Sequence, residues 1–288
     1  MKIDWATATD VGKVRRQNED AVLAEEALGL GILCDGMGGH RAGDVASRLA
    51  VRVFADEIRD PSPREDCLQA QAAPESVQAL IAAARRANEA VYLQAERNED
   101  QRGMGCTLVA LRLRDDDAAF VSIGDSRIYL YRSGRLHRIS QDHTQIHMLR
   151  QMGIQLDPAE AQQIQGMLVR ALGTEPKIDV DFGYGAAFEG DVWLLCSDGL
   201  TDELKDAEIE EILRASADAD AAAKTCVHRA NEAGGHDNVT VSIARIVAGR
   251  EPREKAEIPR PETCSEIDDQ DSDPDGEGLL DRFTRRTR

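Results

Sequence analysis

Five aspartates lie where apolar, strand-like runs of the sequence begin or end beside small or polar residues. Asp35 follows Ile-Leu-Cys, Asp125 follows Val-Ser-Ile-Gly, and Asp198 follows Leu-Leu-Cys-Ser. Asp20 precedes Ala-Val-Leu-Ala, and Asp237 precedes Asn-Val-Thr-Val-Ser-Ile. Any one of them is most simply explained as a turn residue, since Asp beside Gly, Asn or Ser commonly ends a strand. Taken together, their side chains are able to converge on one edge of a layered domain.

Converging carboxylates have a chemical requirement, because they cannot all stay ionised unless cations lie between them. Oxygen ligands without nearby Cys or His favour a hard ion, Mg²⁺ or Mn²⁺, over zinc. Several carboxylates at one point indicate a site for two metal ions. Arg15, five residues before Asp20, adds a guanidinium that suits a phosphate. On its own, Arg15 is better explained as a surface arginine next to Arg16.

The histidines and cysteines indicate no second metal site. His143 and His147 have a spacing that suits a metal on a helix, but no third ligand is near, so we interpret them as packed or solvated side chains. The six cysteines show no C-x-x-C and no zinc spacing. Several of them lie in apolar runs, which favours a reducing cytoplasm over a disulfide framework. We therefore predict a cytoplasmic protein.

The charge balance limits the partners. The 288 residues include 35 Lys and Arg against 53 Asp and Glu, a net charge of −18. Nucleic acids and anionic membranes require a basic surface, so neither is an expected partner. The N-terminus has no signal-like apolar core, and no apolar run approaches the roughly 20 residues of a membrane span.

The elements that must position the aspartates are short strands alternating with longer helices. Alternation and apolar runs predict strands at residues 3–9, 28–34, 105–113, 118–123, 127–132, 191–196 and 239–246. Helical spacing predicts helices at residues 42–58, 75–98, 142–152, 202–214 and 218–233. The turn Gly-Asp-Ser between residues 118–123 and 127–132 favours an antiparallel meander. Long helices beside such strands predict helix-on-sheet layers.

The composition changes near residue 248. Residues 1–247 are predicted to form the catalytic domain. Residues 248–288 are rich in carboxylates and prolines and poor in apolar side chains, which predicts a disordered acidic tail. The stretch 266–277 could fold back to damp activity, although a solubility tail explains it better. Thr284 and Thr287, set among arginines, are candidate sites for a partner kinase.

Eight segments together resemble the metal-dependent protein phosphatase family of type 2C in its bacterial form, over about residues 4 to 246. They occur in the family's order, and no single one is specific. They are R-x-x-N-E-D at residues 15–20, D-G-M-G-G-H at 35–40, G-M-G-C-T at 103–107, G-D-S-R at 124–127, D-H-T at 142–144, R-A-L-G at 170–173, S-D-G-L at 197–200 and D-N-V-T at 237–240.

The resemblance implies an α+β layered sandwich of two central, mostly antiparallel sheets flanked by helices. It implies Mg²⁺ or Mn²⁺ as cofactor, with two ions and room for a third. The implied catalytic residues are Arg15, Asp35 and Asp198, with Arg15 binding the substrate phosphate. The implied metal ligands are Asp20, Asp35, the carbonyl of Gly36, Asp125, Asp198 and Asp237.

In the implied reaction, a water that bridges two cations attacks the phosphorus of phosphoserine or phosphothreonine directly. The implied partners are phosphorylated proteins, a serine/threonine kinase and its targets, and the protein is expected to act as a monomer. One departure concerns the general acid, because Met37 stands where animal members have His. His40 is nearby, but a Gly-rich turn does not determine its direction. Residues 141–187 match the family's variable flap.

Two alternatives remain open at the sequence level. The same cleft chemistry suits a metal-dependent phosphatase of a small phosphorylated metabolite. A degenerate, non-catalytic binding module is disfavoured, because all five aspartates and Arg15 are present.

Overall fold

The computed structural model describes residues 1–38, 42–62, 73–251 and 256–265. The strands β1 to β12 are, in chain order, Lys2–Asp10, Asp20–Glu25, Leu30–Met37, Gly105–Cys106, Leu108–Arg114, Asp117–Ile123, Arg127–Arg132, Arg135–Arg138, Val180–Ala186, Val192–Cys196, Val239–Ala248 and Glu262–Cys264. The helices α1 to α7 are Ala42–Arg59, Glu75–Arg97, Gln145–Gln151, Pro158–Gln163, Asp198–Thr201, Asp206–Ala215 and Ala219–Ala233.

The described strands form two antiparallel sheets. One has the order β1-β11-β10-β7-β8, and the other has the order β12-β9-β6-β5-β3-β2 with β4 paired to β3. Apolar side chains fill three layers: α1 and α2 against the second sheet, the two sheets against each other, and α6 and α7 against the first sheet. Phe120 and Trp193 meet between the sheets with ring centroids 6.4 Å apart. The predicted α+β sandwich with helical outer layers is confirmed.

The meander predicted for residues 118–123 and 127–132 is wrong. The first segment is β6 of the longer sheet, whereas the second is β7 of the other sheet. The Gly-Asp-Ser turn therefore carries the chain across the sandwich instead of closing a hairpin. The next turn does close one, because Ser133 and Gly134 both have positive φ and β7 pairs with β8. Asp125 consequently lies at the end of the sandwich, between the sheets.

The end of the described chain departs from the expected disorder after residue 248. Residues 256–265, here called the strap, run along the longer sheet, and β12 within the strap pairs with β9. Arg132 anchors the strap by donating from Nη1 to the carbonyl of Glu257 at 2.8 Å. Within the strap, Cys264 is buried and disulfide-bonded, contrary to the expectation of a chain without disulfides. The prediction for residues 266–288 lies outside the described residues.

The helix boundaries differ modestly from those predicted. The predicted helix 142–152 begins only at Gln145, where the hydroxyl of Thr144 caps it. The helix predicted at 202–214 begins only at Asp206, as α6, because α5 has already ended at Thr201. None of the helices in the described ranges combines the length and apolar composition that a bilayer-spanning helix requires.

Candidate metal centre

Sheet pairing brings four of the five predicted aspartates to one end of the sandwich. Asp20 and Asp35 are register partners across β2 and β3. Asp198 follows β10 and Asp237 precedes β11, and these two strands are adjacent. Asp125 joins them from the turn that crosses between the sheets. Both sheets therefore contribute carboxylates to the same end.

The carboxylates strongly perturb one another. Burial raises the pKa of Asp35 well above its usual range, and the charges of Asp20, Asp198, Asp125 and Asp237 raise it further. Burial raises the pKa of Asp20 to about 7, with hydrogen bonds from Thr240 and Ser197 opposing the rise. Four charges acting on one half-buried carboxyl define a centre at Asp35.

The same causes act on the two outer members of the cluster. Burial followed by the charge of Asp198 raises the pKa of Asp125 to about 7. Burial followed by the charges of Asp202 and Asp237 raises the pKa of Asp198 to about 6. Carboxyls that resist ionisation in this way are characteristic of functional sites.

Two buried oxygens show that the cluster suits cations. Within the described residues, Asp20 Oδ1 and Asp198 Oδ1 are buried without a hydrogen-bond partner. Buried carboxylate oxygens almost always have a donor or a cation, so these two are available as ligands. In the part of the chain that the structure describes, no three His, Cys, Asp or Glu side chains are already drawn together as a finished metal site. The donor set therefore fits Mg²⁺ or Mn²⁺, although its side chains are more open than a coordination sphere.

Arg15 lies at the mouth of this cluster. Its Nη2 donates to Asp237 Oδ2 at 2.6 Å, and its side chain is 55% exposed. The ion pair is open to solvent on one side, so an anion entering from solvent is able to compete for the guanidinium. The structure thus places Arg15 beside the carboxylates, as the sequence predicted.

Gly36 lies against the first turn of α1. Its N–H donates to the carbonyl of Glu19 at 3.1 Å, and a side chain at this position would collide with the carbonyl of Gly43. The close approach of these backbone segments therefore requires glycine beside Asp35. His40, the candidate general acid, lies outside the described residues.

Polar residues that the sequence analysis did not single out hold the cluster in place. The hydroxyl of Thr107 accepts from the N–H of Asp35 at 2.9 Å and lies 2.7 Å from Ser126 Oγ. It therefore links the two chain segments that carry Asp35 and Asp125. Thr107 is the last residue of the segment G-M-G-C-T at 103–107, and its place in that segment was the available signal.

Asn238 holds the loop that carries Arg15. Its Oδ1 accepts from the N–H of Glu19 at 2.8 Å, and its Nδ2 donates to the carbonyls of Val11 and Gln17. Three bonds from one buried amide hold this loop against Asp237.

Asp202, also missed, lies four residues after Asp198. Burial raises the pKa of Asp202. The charge of Arg127 opposes this rise, and the charge of Asp237 adds to it. Asp202 is the C-cap of α5, one turn after Asp198, and this i, i+4 spacing of two carboxylates was a detectable signal.

The metal-free protein is expected to lose stability as the pH rises from about 4 towards 7. The pKa values of Asp20 and Asp125 rise from a usual 3.8 to about 7 in the folded state, so protonation favours folding. Asp181, whose pKa is lowered, has the opposite effect on stability, but the carboxyls with raised pKa values are more numerous. The unfolding temperature in EDTA should be lower at pH 8 than at pH 5.

Mn²⁺ should raise the unfolding temperature more at pH 8 than at pH 5, because ions bind the ionised carboxylates. Asp125→Asn should show a smaller pH dependence in EDTA than the wild type. A metal-free unfolding temperature that is higher at pH 8 would contradict this prediction.

Comparisons with known proteins agree on one family. The model of protein phosphatase 2C matches residues 13–239. Serine/threonine phosphatase stp of Listeria innocua is 37% identical over 239 residues, which cover 82% of this chain and 92% of that protein. The crystal structure of serine/threonine phosphatase PstP/Ppp from Mycobacterium tuberculosis has a TM-score of 0.73 at 36% identity, over 85% of this chain and 99% of that one. The crystal structure of the catalytic domain of PstP in complex with two manganese ions has a TM-score of 0.72 at 37% identity, over 85% of this chain and 99% of that one.

Proposed function

The chain belongs to the protein phosphatase 2C family, and on that premise we propose that it is a metal-dependent phosphatase of phosphoserine and phosphothreonine in proteins. The observation that carries the proposal is the convergence of five aspartates on one end of the sandwich, where the other four act on the half-buried carboxyl of Asp35. Such a cluster requires divalent cations to ionise fully, and cations beside an arginine suit a phosphate ester.

In this proposal two Mg²⁺ or Mn²⁺ ions would be held by Asp20, Asp35, Asp198, Asp237 and the carbonyl of Gly36. A third would be held by Asp125 and Asp198. The relative with two manganese ions supports this choice of metal. Bound ions supply Lewis acidity that activates water and offsets the negative charge of the phosphate.

The chain's own residues position the reactants. The carboxylates form the negatively charged base of the site. Asn238 and Thr107 hold the chain segments that carry these carboxylates in position. Arg15 would exchange its bond to Asp237 for bonds to the phosphate oxygens, and would so hold the phosphate beside the carboxylates. Domain 1–247 is proposed as the catalytic unit, with the strap as an addition to it.

Arg15→Ala is expected to lower kcat/KM roughly 10- to 100-fold, because a charge-assisted hydrogen bond contributes about 1.5–3 kcal/mol. Mn²⁺ affinity should not fall, since the substitution removes a cation that competes for Asp237. Initial rates on a phosphothreonine peptide at saturating Mn²⁺ measure the effect. Arg16→Ala, at an exposed neighbour, is the matched control, and an unchanged kcat/KM for Arg15→Ala would remove Arg15 from phosphate binding.

The substrate class is tested by comparing esters. Phosphate release should require Mn²⁺ or Mg²⁺, should stop in EDTA, and should be faster on phosphothreonine and phosphoserine peptides than on sugar phosphates. Faster release from sugar phosphates would support the metabolite alternative instead. No release from either class by the folded, Mn²⁺-loaded protein would support a binding module.

Phosphoproteins are thus the proposed substrates. We further propose a serine/threonine kinase and its targets as partners, and action as a cytoplasmic monomer. The bacterial relatives named as serine/threonine phosphatases support the substrate class. Co-purification with such a kinase from the native host, and its dephosphorylation in vitro, would test the partner.

A further inference from the structure

His143 holds the turn that carries Asp125. The side chain is 8% exposed, and its Nδ1 accepts from the N–H of Gly124 at 3.0 Å. The N–H of His143 donates in return to the carbonyl of Gly124 at 2.9 Å. Both backbone polar groups of Gly124 are therefore paired with one residue.

Gly124 has no freedom to move away from this pair. Its φ is +95°, a left-handed value that favours glycine, and a Cβ would lie 2.7 Å from Cγ2 of Thr107. The turn is thus enclosed between Thr107 on one side and His143 on the other. The direction of the next side chain, Asp125, depends on both.

The bond at Nδ1 determines the tautomer of His143. Because Nδ1 accepts, the neutral ring carries its proton on Nε2, which donates to Asp181 Oδ2 at 3.0 Å. Arg170 Nη1 lies 3.2 Å from the same nitrogen and donates instead to Asp181 Oδ1 at 2.8 Å. Asp181 therefore orients the imidazole as the carboxylate partners of metal-site histidines do.

The strap supplies another donor to this carboxylate. Thr263 of β12 is the register partner of Asp181 in β9, and its hydroxyl donates to Asp181 Oδ1 at 2.8 Å. The strap follows residue 239, where the match to the family model ends. A hydrogen-bonded chain thus runs from a segment beyond the family match to the turn that holds Asp125.

We propose that His143 is a positioning residue for Asp125, oriented by Asp181, and that the strap strengthens this positioning through Thr263. The inference rests on the proposed function, because it assigns the positioned carboxylate to a metal site. The strap accordingly contributes to the affinity for the ion that Asp125 and Asp198 share.

Mn²⁺ binding by the full chain, followed by electron paramagnetic resonance of the free ion, tests the proposal without a phosphopeptide. His143→Gln retains a donor towards Asp181 but lacks an acceptor at the Nδ1 position. Mn²⁺ affinity at the weakest site should therefore fall about 10-fold or more, as it does when other residues that orient metal ligands are substituted. His143→Asn presents an oxygen near the Nδ1 position and should recover part of the loss. The KM for the peptide at saturating Mn²⁺ should not change in either variant.

Thr263→Val tests the strap with a nearly isosteric change and decides the matter if His143→Gln fails to fold. It should weaken the same Mn²⁺ site by several-fold, whereas Thr225→Val, on α7, should leave it unchanged. Wild-type affinity in folded His143→Gln and Thr263→Val overturns the proposal. Wild-type protein that binds Mn²⁺ but cleaves no phosphate ester overturns the proposed function alone, and failure of the wild type to bind Mn²⁺ overturns both.

Discussion

Asp198→Asn is expected to abolish metal-dependent phosphate release. The loss of activity should exceed the roughly 10–100-fold that follows substitution of residues hydrogen-bonded to metal ligands. Asp198 begins α5 directly after β10, and its buried Oδ1 has no hydrogen-bond partner within the described residues. Asn has the same shape without the charge, so the proposed anionic ligand is lost while packing is kept. Phosphate release from a phosphothreonine peptide at increasing Mn²⁺ measures the loss.

The same substitution should not destabilise the metal-free protein. Burial, together with the charges of Asp202 and Asp237, raises the pKa of Asp198 to about 6, so its ionised form opposes folding at pH 8. In EDTA at pH 8 the variant should unfold at or above the wild-type temperature. Asp220→Asn, at an exposed ion pair with Lys224, is the control and should retain full activity. Retained turnover by Asp198→Asn, or a large drop in its unfolding temperature, would contradict the assigned role.

Arg132→Met is expected to cost about 3–5 kcal/mol of unfolding free energy, the usual effect of leaving a buried charge without its partner. Arg132 and Asp191 are 5% and 3% exposed and joined by two hydrogen bonds of 2.8 and 2.6 Å. The guanidinium also donates to the carbonyls of Ala186 and Glu257 and lies 4.8 Å from the ring centroid of Phe188. Equilibrium unfolding in urea, with Mn²⁺ present, measures the cost.

Two further variants separate the buried charge from lost packing. Arg132→Met combined with Asp191→Leu should be more stable than Arg132→Met alone, because no carboxylate is then buried unpaired. Arg86→Met, which breaks an exposed pair with Glu89, should change stability by no more than about 1 kcal/mol. If Arg132→Met lowers the unfolding free energy no more than Arg86→Met does, the Arg132–Asp191 pair does not stabilise the contact between the sheet and the strap.

The identity of the cluster was predictable because it depends on residue type and local order. Asp35 follows an apolar run and lies near the end of β3, and Asp198 comes just after β10, so both positions depend on local sequence. The helix at Glu75–Arg97 was predictable for the same reason, since Val77, Leu80 and Val91 recur at helical spacing and are buried.

Predictions that depended on which strands pair were weaker. The spacing between β6 and β7 suits a hairpin, but apolar residues on both strands, such as Phe120 and Ile128, are buried in the layer between two sheets. A local turn signal does not distinguish a hairpin from a crossing, because both require the same left-handed glycine. The crossing is what brings Asp125 to the end of the sandwich.

Residue types and local order were enough to predict an oxygen-rich cluster of aspartates, an arginine beside it, and alternating elements able to form layers. The polar residues that support the cluster became visible only in the folded protein. Thr107, His143, Asp181 and Thr263 lie far apart in the chain and have no common spacing, so their hydrogen bonds exist only once the sheets are paired. The composition of the strap resembles that of a disordered tail, and the strap becomes ordered because β9 offers a free edge to which β12 can hydrogen-bond.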